Sequence, residues 1–283
     1  MTRTLRGLGW LGGWLVFPSM LIAGGGNPAV PFKLYQGYTI VVTGSIGRLK
    51  NLNFLIDTGA VPTVVDRRIA RKLRLSGQNE GLSLFSRSVQ GERVALPGLQ
   101  IGALQTGPHS VLVQDLSIIE EGLGTRIDAL VGLDVLGLRT FSLDYESREL
   151  SFGEVGTMGA TARFEPGLPY IVVRFEVRGQ PLRLLLDTGA KDLILFERTF
   201  WDRLPGLRVI GEKVSTNMGG PVRLRQVELS GTHLGDTNLG TLNAYVMNTS
   251  AGSGMDLDGL LGVVSLGAKR VHFDFQQNVV TWK

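Results

Sequence analysis

None of the 283 residues is cysteine, so the chain has no disulfide framework, no thiol-held metal and no lipid-modified cysteine. If exported, its fold must be held by the core alone. Aromatic residues are few, with 12 Phe, 4 Trp and 5 Tyr against 39 Gly, which points to many turns and short strands. Charge is thin as well. The formal net charge is +4. Arg3 and Arg6 lie in a segment expected to be removed, and without them about +2 remains, with no run of Lys and Arg interleaved with aromatics. Nucleic acid is therefore excluded as a partner. His109, His233 and His272 stand far apart, without His-Glu-x-x-His, and are expected at the surface or on strand faces. Asp256-Leu257-Asp258-Gly259 lacks the remaining ligands of a calcium loop. No Gly-x-Ser-x-Gly elbow, P-loop or dinucleotide fingerprint is present. Neither a metal nor any other cofactor is expected.

What is present is a globular composition, 43% hydrophobic and 19% charged, long enough for one large all-β domain or two small ones. Arg3 and Arg6 precede an apolar stretch from Leu8 to Ala23, and Ala23-x-Gly25 suits a signal peptidase. Residues 1–25 are accordingly expected to be a signal peptide, with an uncleaved N-terminal anchor as the second reading and a buried segment as the third. Export to the periplasm or the cell exterior follows from the first reading. The stretch is shorter than the roughly 20 residues of a spanning helix, and Gly9, Gly12, Gly13 and Pro18 interrupt it.

The chain also repeats itself. Asp57-Thr58-Gly59-Ala60 returns as Asp187-Thr188-Gly189-Ala190, an offset of 130. At the same offset Asp128-Ala129-Leu130-Val131-Gly132 returns as Asp258-Gly259-Leu260-Leu261-Gly262, and Phe141-Ser142-Leu143-Asp144-Tyr145 as Val271-His272-Phe273-Asp274-Phe275. Near an offset of 132, Tyr38-Thr39-Ile40-Val41-Val42 faces Tyr170-Ile171-Val172-Val173. Three matches in register imply duplication. The halves are residues 30–152 and 162–283, joined by a glycine-rich linker at 153–161. Short apolar or alternating runs predict strands at 39–42, 52–56, 172–177 and 182–186. One helix is expected in each half, Asp66 capping residues 67–73 and a second over 197–204, before Pro205-Gly206.

In both repeats an aspartate follows an apolar pair, Leu55-Ile56 or Leu185-Leu186, at the end of a buried strand. A lone copy is equally well read as a strand-end Asp accepting turn amides. Two copies in a duplicated fold shift the balance, because a pseudo-twofold axis can bring equivalent strand ends together. Carboxylates about 3 Å apart cannot both ionise, so the pair keeps one proton. One member then serves as general base and the other as general acid. Thr58 and Thr188 would brace such a site, while Gly59 and Gly189 would let each loop turn and present amides.

Apolar-apolar-Asp-Thr-Gly-Ala followed by apolar-apolar-Gly resembles the retropepsin and pepsin clan of aspartic proteases, in both halves and over nearly all the chain after residue 30. Proton sharing between two aspartates is the established behaviour of that clan. The resemblance implies an all-β fold of two pseudo-twofold-related barrel lobes with a short helix each. It implies Asp57 and Asp187 as the catalytic pair, with Thr58, Gly59, Ala60, Thr188, Gly189 and Ala190 in support. Leu130-Val131-Gly132 and Leu260-Leu261-Gly262 would form the psi-shaped crossings. A polypeptide substrate and a functional monomer follow, since both aspartates lie in one chain. Hairpin flaps correspond to residues 85–96 and 214–224, with Gly91 and Gly219-Gly220 as expected tips. Neither flap holds a tyrosine. Ala60 and Ala190 offer no hydroxyl to the carboxylates, so activity is expected to reach from mildly acidic toward neutral pH. The competing function is a protease-like module that binds extended peptides without cutting them; a missing aspartate would signal it, and both are present. An envelope-anchored structural protein is a third reading, which rests on the N-terminus alone.

Overall fold

Apolar residues alternate or run together in short stretches bounded by glycine, and the chain accordingly folds as strands. The computed structural model describes residues 28–83, 88–154, 159–217, 220–248 and 256–283. The N-terminal segment 1–25, Gly219 and the middle of the linker lie outside the described residues. The first half begins with β1 (Val30–Tyr35), β2 (Thr39–Ile46), β3 (Leu49–Ile56) and β4 (Val64–Asp66), then α1 (Arg67–Leu73). It continues through β5 (Gln78–Ser83), β6 (Ser88–Leu96), β7 (Leu99–Ile101), β8 (Leu104–Gln105) and β9 (His109–Gln114). α2 (Ser117–Leu123), β10 (Ala129–Val131), α3 (Leu133–Leu136), β11 (Phe141–Asp144) and β12 (Glu149–Phe152) complete it. The second half holds β13 (Ala160–Arg163), β14 (Val172–Val177), β15 (Gln180–Asp187), β16 (Leu193–Phe196) and α4 (Glu197–Arg203). Next come β17 (Val209–Asn217), β18 (Gly220–Leu234), β19 (Thr237–Met247) and β20 (Gly259–Gly262). A 3₁₀ turn (Val263–Leu266), β21 (Arg270–Asp274) and β22 (Val279–Trp282) end the chain.

Each half makes a barrel lobe. In the second, β14-β15-β20-β16-β19-β18 closes on itself through pairing of β14 with β18. In the first, Pro97-Gly98 separate two short strands where the second lobe has one long one. β6 pairs with β9, and β7 pairs with β2 to close the side. Between the lobes lies a six-stranded antiparallel sheet, β13-β22-β21-β11-β12-β1, to which both halves contribute. Its central pair is β11 with β21, the third repeated motif pairing with its own copy. Ser142 faces His272 across this pair, and Phe141 stacks on Phe273 at 4.7 Å. An apolar core runs through both lobes and this sheet, with Phe54, Phe141, Phe175 and Phe273 fully buried. Each such side chain contributes about 1.5–3 kcal/mol by leaving water.

Both expected helices form. Asp66 caps α1, its carboxylate accepting from Arg68 N at 2.8 Å, while Ile69 and Ala70 face the core. Besides these two, α2, α3 and the 3₁₀ turn are additional. They are single turns or two-turn pieces, too short to show a helical period. One further reading changes. Ala160 and Thr161, placed in the linker, already pair in β13 with Trp282 and Thr281. His272 is buried, 3% exposed, and its Nδ1 lies 2.8 Å from Ser142 Oγ. Among the described residues no helix is long and apolar enough to cross a membrane.

Candidate active site

β3 runs through an apolar pair and is followed directly by Asp57, β15 runs through another and ends at Asp187, and the pseudo-twofold axis brings these ends face to face. The closeness is measured best at the glycines. A Cβ placed on Gly59 would stand 2.5–2.7 Å from the Asp187 carboxyl atoms; one on Gly189 would stand 2.8–2.9 Å from those of Asp57. Only glycine fits at either position. Gly59 N donates to Asp57 Oδ1 at 2.8 Å, and Gly189 N to Asp187 Oδ1 at 2.6 Å.

Thr58 and Thr188, both buried, cross between the lobes. Thr58 Oγ1 donates to Leu186 O at 2.8 Å and accepts from Thr188 N at 3.0 Å. Thr188 Oγ1 donates to Ile56 O at 3.0 Å and accepts from Thr58 N at 3.0 Å. Four bonds thus leave no buried polar atom of the two side chains unpaired, and each lobe fixes the strand end of the other.

The psi crossings stand where expected. β10 runs parallel to β3, Leu130 opposite Leu55 and Val131 opposite Ile56, and antiparallel to β4. β20 does the same with β15 and β16, Leu260 opposite Leu185 and Leu261 opposite Leu186. Each repeated strand therefore threads between the two arms of an aspartate loop. Gly132 lies against Ala60 O, and Gly262 against Ala190 O at 2.6 Å from a built Cβ. Leu133 N donates to Ala60 O at 3.0 Å. Thr63, which the sequence reading passed over, ties the first crossing: Gly132 N donates to its Oγ1 at 3.0 Å, and that hydroxyl donates to Asp134 Oδ1 at 2.7 Å. It has no counterpart at Leu193, so the repeat gave no signal for it.

The two carboxyls differ in setting. Asp187 is buried, 9% exposed, and Asp57 is partly exposed. Burial pushes the Asp57 carboxyl well above the ordinary carboxylate range, and the charge of Asp187 pushes it further. Burial raises Asp187 too, against hydrogen bonds from Asp57 and from the amides of Gly189, Ala190 and Gly59, which favour its charged form. Both carboxyls are thus shifted toward the protonated form, Asp57 the more strongly.

Around the pair, one hairpin placement needs correction. Gly91 is not a tip: it lies within β6, opposite Glu80, and the β5–β6 pairing continues to Ser83 opposite Ser88. Gly220 opens β18 opposite Asn217, buried. The β17–β18 hairpin is tied to the site loop. Lys213 Nζ bonds Asp192 Oδ2 and stands 3.5 Å from the Tyr245 ring centroid. Asp192, Lys213 and Tyr245 went unnoticed because Pro62, Glu80 and Leu112 stand in their places in the first repeat. Tyr170 was seen only as a repeat match; its hydroxyl lies 3.4 Å from Val61 O across the lobe boundary.

A search of curated proteins returned no match. A family model described as aspartyl protease matches the chain twice, over residues 42–135 and 173–264, one match per lobe. Those two stretches include both aspartate loops and both psi crossings, and the chain belongs to the aspartyl protease family, as a single-chain protein of two retropepsin-like repeats.

Proposed function

We propose that this protein is an aspartic endopeptidase in which Asp57 and Asp187 share one proton and activate a water against the scissile carbonyl of an extended polypeptide. The observation that carries the reading is the mutual close approach of each carboxyl and the opposite repeat's glycine. The ionised member of the pair takes a proton from the water as its oxygen bonds to the carbonyl carbon. The protonated member gives its proton to the carbonyl oxygen, producing a tetrahedral diol. The diol then returns a proton to the pair, the amide nitrogen takes the other, and the C–N bond breaks. The pair ends with one proton, as it began. Crossed threonines and glycine amides hold both oxygens in place before substrate arrives, so little reorganisation is needed in the transition state. The substrate lies extended, as an added strand beneath the hairpins.

The protein would act as a monomer, since one chain supplies both aspartates, and residues 1–25 would direct its export. Sequencing the N-terminus of the protein recovered outside the cytoplasm tests the export reading; an intact residue 1 there speaks against cleavage. For the enzyme, Asp57→Asn and Asp187→Asn should each lower peptide cleavage by about 10²–10⁴-fold or more while the fold persists. Cleavage should be blocked by pepstatin, with specific activity independent of protein concentration. Undiminished turnover in either variant would remove the shared pair from the mechanism.

A further inference from the structure

The two aspartate loops are alike through Ala60 and Ala190 and then diverge, and the next carbonyl in each is held differently. Lys191 O accepts from Ser265 Oγ at 3.0 Å, within its own lobe. The first lobe has the buried Val135 at the place of Ser265, so no such hydroxyl is offered to Val61 O. Val61 O instead faces Tyr170 Oη, which comes from the second lobe. The sheet registers show that this is not a repeated arrangement. Val41 pairs with Leu55 and Val172 with Leu185, an offset of 131, so Thr39 stands at the place of Tyr170. Thr39 is short and buried. Tyr38, matched to Tyr170 by sequence, is displaced by one residue.

We propose that Tyr170 is a positioning residue of the reaction: its hydroxyl holds the loop after Asp57 from across the lobe boundary and so fixes the amide that addresses the carboxyl pair. The path is short. Val61 follows Ala60, whose carbonyl is held by Leu133 N at 3.0 Å, and Ala60 follows Gly59. Gly59 N donates to Asp57 Oδ1, and its Cα packs against the Asp187 carboxyl. The ring of Tyr170 is half-buried against the apolar cluster that includes Val172, Leu185 and Leu260, which limits where its hydroxyl can go. Burial and the nearby Asp57 charge both raise the phenol's pKa, so it remains a donor throughout the working range. At 3.4 Å the bond is long for a hydroxyl.

The inference rests on the endopeptidase reading for its kinetic consequence, and titration of the aspartates tests it separately. Tyr170→Phe keeps the ring and removes the hydroxyl. Losing the tether frees the Gly59 amide, which favours the charged carboxylate, so the pair should titrate at higher pH. Aspartate carboxyl carbons, followed by NMR in wild type and variant, read this directly, and the acid limb of the pH–rate profile should move the same way. On peptides kcat should fall about tenfold, the worth of one hydrogen bond, with KM within twofold. Tyr170→Ala should raise KM as well. Tyr38→Phe, in the turn just before β2, serves as the control and should change nothing. The inference is overturned if Tyr170→Phe titrates like wild type, or if Tyr38→Phe has the same effect. A shifted titration in a protein that cleaves no peptide would sink the enzyme reading and leave Tyr170 holding the loop.

Discussion

Asp57 and Asp187 share a motif, yet their neighbours give them different electrostatics, and the consequence extends to folding. Both carboxyls are raised above the 3.8 of an exposed Asp, chiefly by burial. The folded chain therefore keeps a proton that the unfolded chain releases. Stability is then lost as pH rises from 3.8 through the raised native value, because the unfolded state binds fewer protons there. Asp57→Asn removes that titration. It should melt above wild type at neutral pH, with the difference closing below pH 3.8, as read by thermal unfolding across pH. A constant difference at every pH would place the effect in packing instead. A site that costs stability when ionised is expected where function sets the residue choice.

Hairpins β5–β6 and β17–β18 are related elements held unequally. Lys213 stands opposite Leu224 in the second, and Glu80 opposite Gly91 in the first. Leu224 is 1% exposed within the cluster of Leu185, Met247 and Leu260, and Gly91 brings no side chain to the matching place. Glu80 turns instead to Arg93 on the neighbouring strand of its own hairpin. The β17–β18 hairpin, fixed by Leu224 and Lys213, should exchange its amides more slowly than β5–β6. Leu224→Ala should cost about 2–5 kcal/mol and remove that protection. Equal exchange in the two hairpins of the wild type would contradict the asymmetry.

At the scale of the whole molecule, the sheet between the lobes has a buried imidazole at its symmetric centre. His272 pairs with Ser142, and burial lowers its pKa below 6.5, while Asp274, Glu154 and the Phe141 backbone act in the opposite sense. The folded chain binds this proton less readily than the unfolded one, so stability is lost as pH falls from 6.5 through the lowered native value. His272→Gln keeps a hydrogen-bonding group and cannot charge in that range. It should lose less stability than wild type between pH 7 and pH 5 when urea midpoints are compared. An identical loss in both proteins would show that other groups set the acid response. The carboxyl pair and the sheet thus pull in opposite directions, one favouring acid and the other resisting it.

Much of this was legible before folding. Strand content, the duplication, the cap at Asp66 and the candidacy of Asp57 and Asp187 all came from local pattern, because a buried strand end, a capping side chain and a repeat are written in consecutive residues. The psi strands were marked by glycines that repeat at the same offset as the aspartates. Tertiary structure decided what repetition could not mark. The tie from Lys213 to Asp192, the hold of Tyr170 on Val61 and the bond between Thr63 and Asp134 occur once each, between residues far apart in sequence. The burial of His272 likewise arises only when the repeated strand pairs with its copy. Duplication writes symmetric features twice and so exposes them to a reader of the sequence. Asymmetric contacts depend on which side chains the two lobes bring into reach, and only the packed molecule specifies that.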